Sequence, residues 1–298
     1  MNVYNVIDSP FPPPYSSGPH AWPRITFSMN VMTTLRKVYV YGFLLFVSLA
    51  VTLANADEPK TDVAAAKKNA GPLKAMLVTG GCCHDYDAQK VIITEGLSQR
   101  LGEVQWTIHQ YNDKKDTRAT VYENPNWADG YDFIVHNECF GDMKDPALIQ
   151  NIVDGHKKSG AAAILIHCSM HSYRNSQAAD AWRELIGVTS TFHEKAKRSL
   201  AVIPTQEGRE SKLVAALGDG WDTPNGELYI IKQVWPGTTV LATAFSNEQD
   251  ADQPIIWRRE FAGVRVFGTT LGHHNETMRA EPWQEVVAAG TRWAIGRQ

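Results

Sequence analysis

Apolar positions along this chain fall into two alternating patterns. Short apolar runs, at Leu73–Thr79, Val104–His109, Tyr131–His136 and Ala161–Ile166, are separated by stretches whose apolar residues recur at helical spacing. Val91, Ile92, Leu97 and Leu101 mark one helix, capped at Asp87 and ended by Gly102; Pro146 opens a second, through Ile149, Ile152 and Val153 to Ser159-Gly160. A third runs from Gln177 to Ile186 and closes at Gly187. Ala161–Ile166 is apolar throughout, which suits a central strand covered on both faces. Strand and helix alternating at this spacing predict right-handed crossovers, a parallel sheet and an α/β domain. The polar stretch from Asn112 to Gly130, with Trp127 near its end, reads as either a loop or a lid.

After Val188 the pattern changes. Strands are expected near Leu200–Ile203, from Glu227, and near Thr239–Thr243, with a short helix at Leu213–Leu217. Pro254 to Thr270 reads as a hairpin turning at Gly263, and Trp283 to Ala294 as a closing helix.

The amino-terminal region carries a different signal. Met29 to Lys37 is a short basic segment, Val38 to Leu53 is apolar, and Ala54-Asn55-Ala56 supplies the small residues of a cleavage site. Residues 29–56 are therefore expected to be a signal peptide cut before Asp57, with 1–28 a leader upstream of a true start at Met29 or Met32. Residues 57–71 are expected to be a flexible spacer and 72–298 the folded domain. This predicts a secreted or periplasmic protein with no stable membrane span after cleavage. The competing reading is a membrane anchor, although the run falls just short of the ~17 residues a span needs. A net charge of −3 without a Lys/Arg stripe argues against nucleic acid as a partner.

Chemistry concentrates where the strands stop. His84 and Asp85, His136 and Glu138, His167 and His171, and His273, His274 and Glu276 all follow expected strands. A parallel sheet gathers such loops at one edge, so a single His-rich cleft is the economical reading. His84, Glu138, His167, His273 and Glu276 are the candidates for acid–base work. Asp85, Tyr173, Arg174 and Trp257 are candidate substrate contacts, Trp257 with packing as its rival reading. A divalent metal such as zinc is the cofactor these donors admit, held by His84, His171, His273 and His274 with Glu276 orienting an imidazole; the rival is a purely organic site. His20, His109 and His156 carry only a packing or solvent reading. The four cysteines, Cys82, Cys83, Cys139 and Cys168, admit a disulfide, free buried thiols or a reactive thiol. Cys168 follows a strand as a nucleophile would, but its flanks lack the small residues of a tight elbow.

Several of these segments together resemble the trehalose-utilisation (ThuA-like) family: Leu77–Gly81 with His84-Asp85, Ile164–Tyr173, the region after Phe192, Glu227-Leu228-Tyr229, Pro254–Trp257 and above all Arg265–Glu276. The resemblance implies a flavodoxin-like three-layer sandwich with a mostly parallel sheet and a C-terminal β-hairpin, similar to class I glutamine amidotransferases. It also implies a small carbohydrate as partner, in catabolism of trehalose or an oxidised disaccharide or glycoside. The activity would be that of a hydrolase or lyase on keto-sugars. A non-catalytic carbohydrate-binding or scaffolding module is one alternative. A thiol-dependent amidotransferase-like hydrolase using Cys168 is the other, although His167 falls where the amidotransferase nucleophile would stand. Neither the cofactor nor the oligomeric state follows from the resemblance.

Overall fold

The computed structural model describes residues 71–111 and 114–297. The expected leader, signal peptide and all but the last residue of the spacer lie outside the described residues. Within the described part no helix is long and apolar enough to cross a membrane.

The domain opens as its pattern predicts, with β1 (Leu73–Gly81), α1 (Tyr86–Leu101), β2 (Val104–Gln110), β3 (Phe133–Cys139), α2 (Pro146–Ser159), β4 (Ala162–Ile166) and α3 (Ala179–Ile186). The cap of α1 is Asp85 rather than Asp87, because the Asp85 carboxylate accepts from the Ala88 amide. Asp145 caps α2 in the same way, Pro146 occupies its first turn, and Gly160 ends it in the left-handed region. Residues 114–130 contain a short 3₁₀ turn, Thr120–Glu123, whose Tyr122 is fully buried.

The remaining elements are β5 (Val188–Lys197), β6 (Ala201–Pro204), α4 (Gln206–Ser211), β7 (Trp221–Asp222), β8 (Glu227–Val234), β9 (Thr238–Ser246), β10 (Ala251–Phe261), β11 (Val264–Thr269), α5 (Asn275–Arg279) and α6 (Glu281–Ala294). The helix expected at 213–217 is instead α4 followed by a 3₁₀ turn, Ala215–Leu217.

Nine strands form one sheet in the order β2-β1-β3-β4-β11-β10-β9-β6-β7. The first five are parallel, in the flavodoxin-like order with β11 in the fifth place; from β10 onward every pairing is antiparallel. The sheet is therefore mixed, parallel only in the half that carries the site. Alternate residues of β1 face opposite cores. Leu73, Ala75 and Leu77 pack with α1 and α6, whereas Met76 and Val78 pack with α2 and α3. α6 lies close on β11 because Gly290 faces Phe267, where a Cβ would stand 2.3 Å from the ring.

A second, two-stranded antiparallel sheet pairs β5 with β8. It packs against the 3₁₀ turn His167–His171 that follows β4, and so stands at the carboxyl edge of the parallel strands.

Candidate functional site

A pocket of about 310 Å³ opens at that edge. The ends of β1, β3, β4 and β11 bring Cys82, Cys83, His84, Cys139, Cys168, His171, Arg174 and His273 to it; β5 and β8 bring His193, Lys197, Glu227 and Tyr229. Its size is at the small end of the ~300–1,000 Å³ typical of small-molecule sites.

At its base His84, His167, Glu227 and His273 converge, with one potential ligand atom from each lying within 4.8 Å of all the others. His84 stands in the turn after β1, and its Nδ1 lies 3.2 Å from the Cys82 carbonyl. His167 is the first residue after β4, held at φ 44°, with its Nδ1 2.5 Å from the Thr270 carbonyl. A carbonyl only accepts, so in both rings Nδ1 carries the hydrogen and Nε2 turns a lone pair inward. The inward Nε2 of His84 is 3.0 Å from His273 Nδ1. That of His167 is buried, makes no hydrogen bond, and sits 3.4 Å from Glu227 Oε2. His273 Nδ1 is 3.3 Å from the same oxygen.

The electrostatics prepare these groups as ligands. Burial, then the neighbouring His167 and His273, lowers His84 to about 2. Burial also lowers His167, although Glu227 opposes the shift. For Glu227 burial works against ionisation, but the adjacent His167 and His273 imidazoles outweigh it and hold the carboxyl well below the usual range. With His84 and His167 lowered and Glu227 held ionised, the cluster presents two neutral imidazoles and a carboxylate, the protonation states that metal ligation requires. Three imidazoles and a carboxylate suit a divalent first-row ion such as zinc, and the backbone carbonyls behind His84 and His167 fix their tautomers.

The other expected site residues lie elsewhere. His171 is not with the ligand atoms: its ring stacks on Tyr229 at 3.8 Å and its Nε2 lies 2.8 Å from Ser190 Oγ. His274 stands edge-on to His273, outside the group of converging ligand atoms, and precedes α5. Glu276 is exposed in the first turn of α5. Glu138 is fully buried on the α2 face, its Oε1 accepting from Tyr122 and meeting His136 Nδ1 at 2.9 Å. Asp85 spends its carboxylate on capping α1 and on Asn275. Tyr173 is buried against Trp182, and Trp257 is buried with its indole N–H donating to the Ile186 carbonyl, so neither lines the pocket. Arg174 does line it. Cys168 lines it too but is buried, and burial pushes its thiol up, so it rests as a thiol rather than as the activated thiolate a hydrolase nucleophile would need.

Glu227, Lys197, His193 and Tyr229 were not expected from strand-end loops. The Glu227-Leu228-Tyr229 segment, and the region after Phe192 that holds His193, carried a signal only as family-like motifs. Cys82 and Cys83 are joined to each other in a disulfide between adjacent residues, while Cys139 and Cys168 are free and buried.

The family model described as "Trehalose utilisation" matches residues 74–294. The chain belongs to the ThuA family. Its fold is similar to that of a ThuA-like protein from Parabacteroides merdae, with TM-score 0.57 and 15% identity over 76% of this chain and 90% of that one. A ThuA-like protein from Bacteroides uniformis is similar to the same degree, with TM-score 0.56 and 16% identity over 77% and 94% of the two chains. At these identities the likeness concerns fold. No functionally curated protein matches the chain. The family match agrees with the motif resemblance and gives a role related to trehalose utilisation at family level.

Proposed function

We propose that this ThuA-family member is a metal-dependent hydrolase or lyase of a small oxidised sugar, exported from the cytoplasm and working through His84, His167, Glu227 and His273. The observation that carries the reading is the convergence of three imidazoles and one carboxylate, with the buried Nε2 of His167 lacking any hydrogen-bond partner. A divalent ion held there would polarise a sugar carbonyl or lower the pKa of bound water. The chain's own groups supply the rest. Lys197, Arg174 and Lys115 border the pocket and favour a ligand whose oxygen gains negative charge, such as a ketone becoming an enolate or alkoxide. Tyr229 and His171, stacked face to face, give the pocket a rigid aromatic side.

The test begins with elemental analysis of the protein from Asp57 onward, made without a His tag and dialysed without chelator. About one equivalent of zinc, manganese, iron, nickel or copper, together with turnover of 3-keto-trehalose or another 3-keto-glycoside that is lost in His84→Ala and His167→Ala, supports the reading. Metal-free protein whose melting temperature and activity ignore added ions overturns the metal. Sugar binding that survives in the variants, with no turnover of any keto-sugar by the native protein, identifies a carbohydrate-binding module instead.

A further inference from the structure

The four sulfurs form a single file along the wall of this pocket, and nothing in the metal reading uses them. Cys82 and Cys83 follow β1, Cys139 ends β3, and Cys168 is the second residue of the 3₁₀ turn out of β4. Because β1, β3 and β4 are neighbours in the sheet, their carboxyl ends set the cysteines side by side in that order. Gly81 pairs in register with Cys139, so the two strand ends meet where the sulfurs do. Cys82 Sγ is 3.8 Å from Cys139 Sγ, and Cys139 Sγ is 2.7 Å from Cys168 Sγ, within about 0.7 Å of a bonded pair. Exposure falls along the file, from exposed Cys83 through half-buried Cys82 to Cys139 and Cys168 at 5% and 6%.

We infer that these residues are a thiol–disulfide exchange relay that carries one disulfide between an outer position, Cys82–Cys83, and an inner position, Cys139–Cys168. In the first step Cys139, as thiolate, attacks Cys82 Sγ; the Cys82–Cys139 bond forms, the Cys82–Cys83 bond breaks, and Cys83 leaves as thiolate toward solvent. In the second step Cys168, a thiol at rest, gives up its proton as it attacks Cys139 Sγ 2.7 Å away; the Cys139–Cys168 bond forms and Cys82 leaves, taking up a proton. Two thiols and one disulfide enter and the same number emerge, so no oxidant or reductant is consumed. The protons lost by Cys139 and Cys168 are regained by Cys82 and Cys83 through the pocket. Tyr229, whose hydroxyl donates to Cys168 Sγ at 3.2 Å, stabilises the inner thiolate as it forms.

The position of the bond has a structural consequence. Cys83 is held at φ 85°, in the left-handed region that non-glycine residues seldom occupy, and opening the ring between adjacent cysteines releases it. The Cys82 carbonyl, which holds His84 Nδ1, belongs to the same turn. Moving the disulfide inward therefore loosens one side of the pocket. That consequence for a bound ion rests on the metal reading; the exchange itself does not.

The experiment follows the bond directly. The full folded protein is reduced, freed of reductant, given one equivalent of diamide, quenched at intervals in acid, alkylated and digested with trypsin. Cys82 and Cys83 fall in one peptide, residues 75–90, whereas Cys139 and Cys168 fall in residues 119–144 and 159–174. The relay predicts that the internal disulfide of 75–90 forms first and declines as linked 119–144/159–174 appears. The total should stay at one disulfide per chain, and the rate should not depend on protein concentration. Cys168→Ser should halt at the intermediate, linking 75–90 to 119–144, and Cys139→Ser should keep the bond in 75–90. A bond that remains in 75–90 in the native protein, or no 75–90/119–144 link in C168S, overturns the relay. So does an inner disulfide that forms equally fast in the Cys82→Ser/Cys83→Ser double variant, since that is direct oxidation.

Discussion

Lys197 gives the metal reading a test with an unusual sign. Its Nζ lies 2.7 Å from His273 Nε2 and 3.9 Å from Glu227 Oε1. An ammonium only donates, so in this arrangement His273 Nε2 accepts and Nδ1 carries the ring hydrogen, directed at Glu227 and His84. An ion on Nδ1 requires the opposite tautomer, whose Nε2 hydrogen would face the ammonium. Lys197 thus opposes the ion both through the tautomer and through its charge. With a ligand bond of about 2 Å, the ion would lie roughly 6 Å from Nζ. Charges of +2 and +1 at that distance repel by about 1.4 kcal/mol in water-like surroundings and about 5.5 kcal/mol at an effective dielectric of 20. The Lys197 side chain is 47% exposed, so the lower figure governs; the lost hydrogen bond adds about 1 kcal/mol. Lys197→Met should therefore tighten zinc binding by ~10- to 100-fold. Competition with a chromophoric chelator at fixed pH measures it. Unchanged or weaker affinity would mean that the ion does not take His273 Nδ1, and the ligand set would have to be redrawn.

Other expectations follow from the same geometry. Glu227→Gln removes the carboxylate shared by His167 and His273 and should weaken zinc at least ~10-fold by the same titration, whereas exposed Glu276→Gln should leave affinity and turnover within about twofold. His156 is fully buried, its pKa lowered to about 3 by burial and then by His136, so the folded state keeps it neutral while the unfolded chain protonates it near 6.5. Its contribution is complete above pH 6.5 and is lost as pH falls toward 3, at up to about 1.4 kcal/mol per pH unit; denaturant titrations across that window should show a shallower slope for His156→Asn, and an equal slope would refute the assignment. Gly81 has φ 92°, and a Cβ there would stand 2.3 Å from the Cys139 carbonyl, so Gly81→Ala should cost several kcal/mol in denaturant unfolding or force β1 and β3 apart at the pocket, with ~2 kcal/mol or less counting against the packing.

The places where sequence and structure part company share a physical cause. Apolar runs bounded by caps and glycines locate β1 to β4, α1, α2 and α3 to within a few residues, because each buries a face against a continuous core. The rule that strand ends share an edge correctly gathers His84, His167 and His273. It says nothing of a side chain's direction. Glu138 lies within β3 rather than beyond it, so strand alternation sends it with His136 to the α2 face, one residue before Cys139, which does line the pocket. His171 fails for a related reason: four residues separate it from His167, and in a 3₁₀ turn of three residues per turn that spacing points the rings apart. His274 follows His273 in extended backbone at φ −109°, and its imidazole stands edge-on to His273, outside the converging ligand atoms. Glu227 escapes notice because β8 belongs to the small antiparallel sheet, and a rule about the ends of parallel strands has no term for a partner arriving from a different sheet. The carboxylate that completes the cluster therefore comes from the first residue of a strand, while the imidazoles come from beyond the last. That opposition matters for the chemistry: the two sheets contribute different ligands to one centre, so a bound ion would tie β5 and β8 to the parallel strands, and the stability gained on adding zinc should appear as protection of β8 amides from hydrogen exchange as well as in the melting temperature. If added zinc protects only the β1, β4 and β11 ends, Glu227 is not a ligand and the ion, where present, is held by the imidazoles alone.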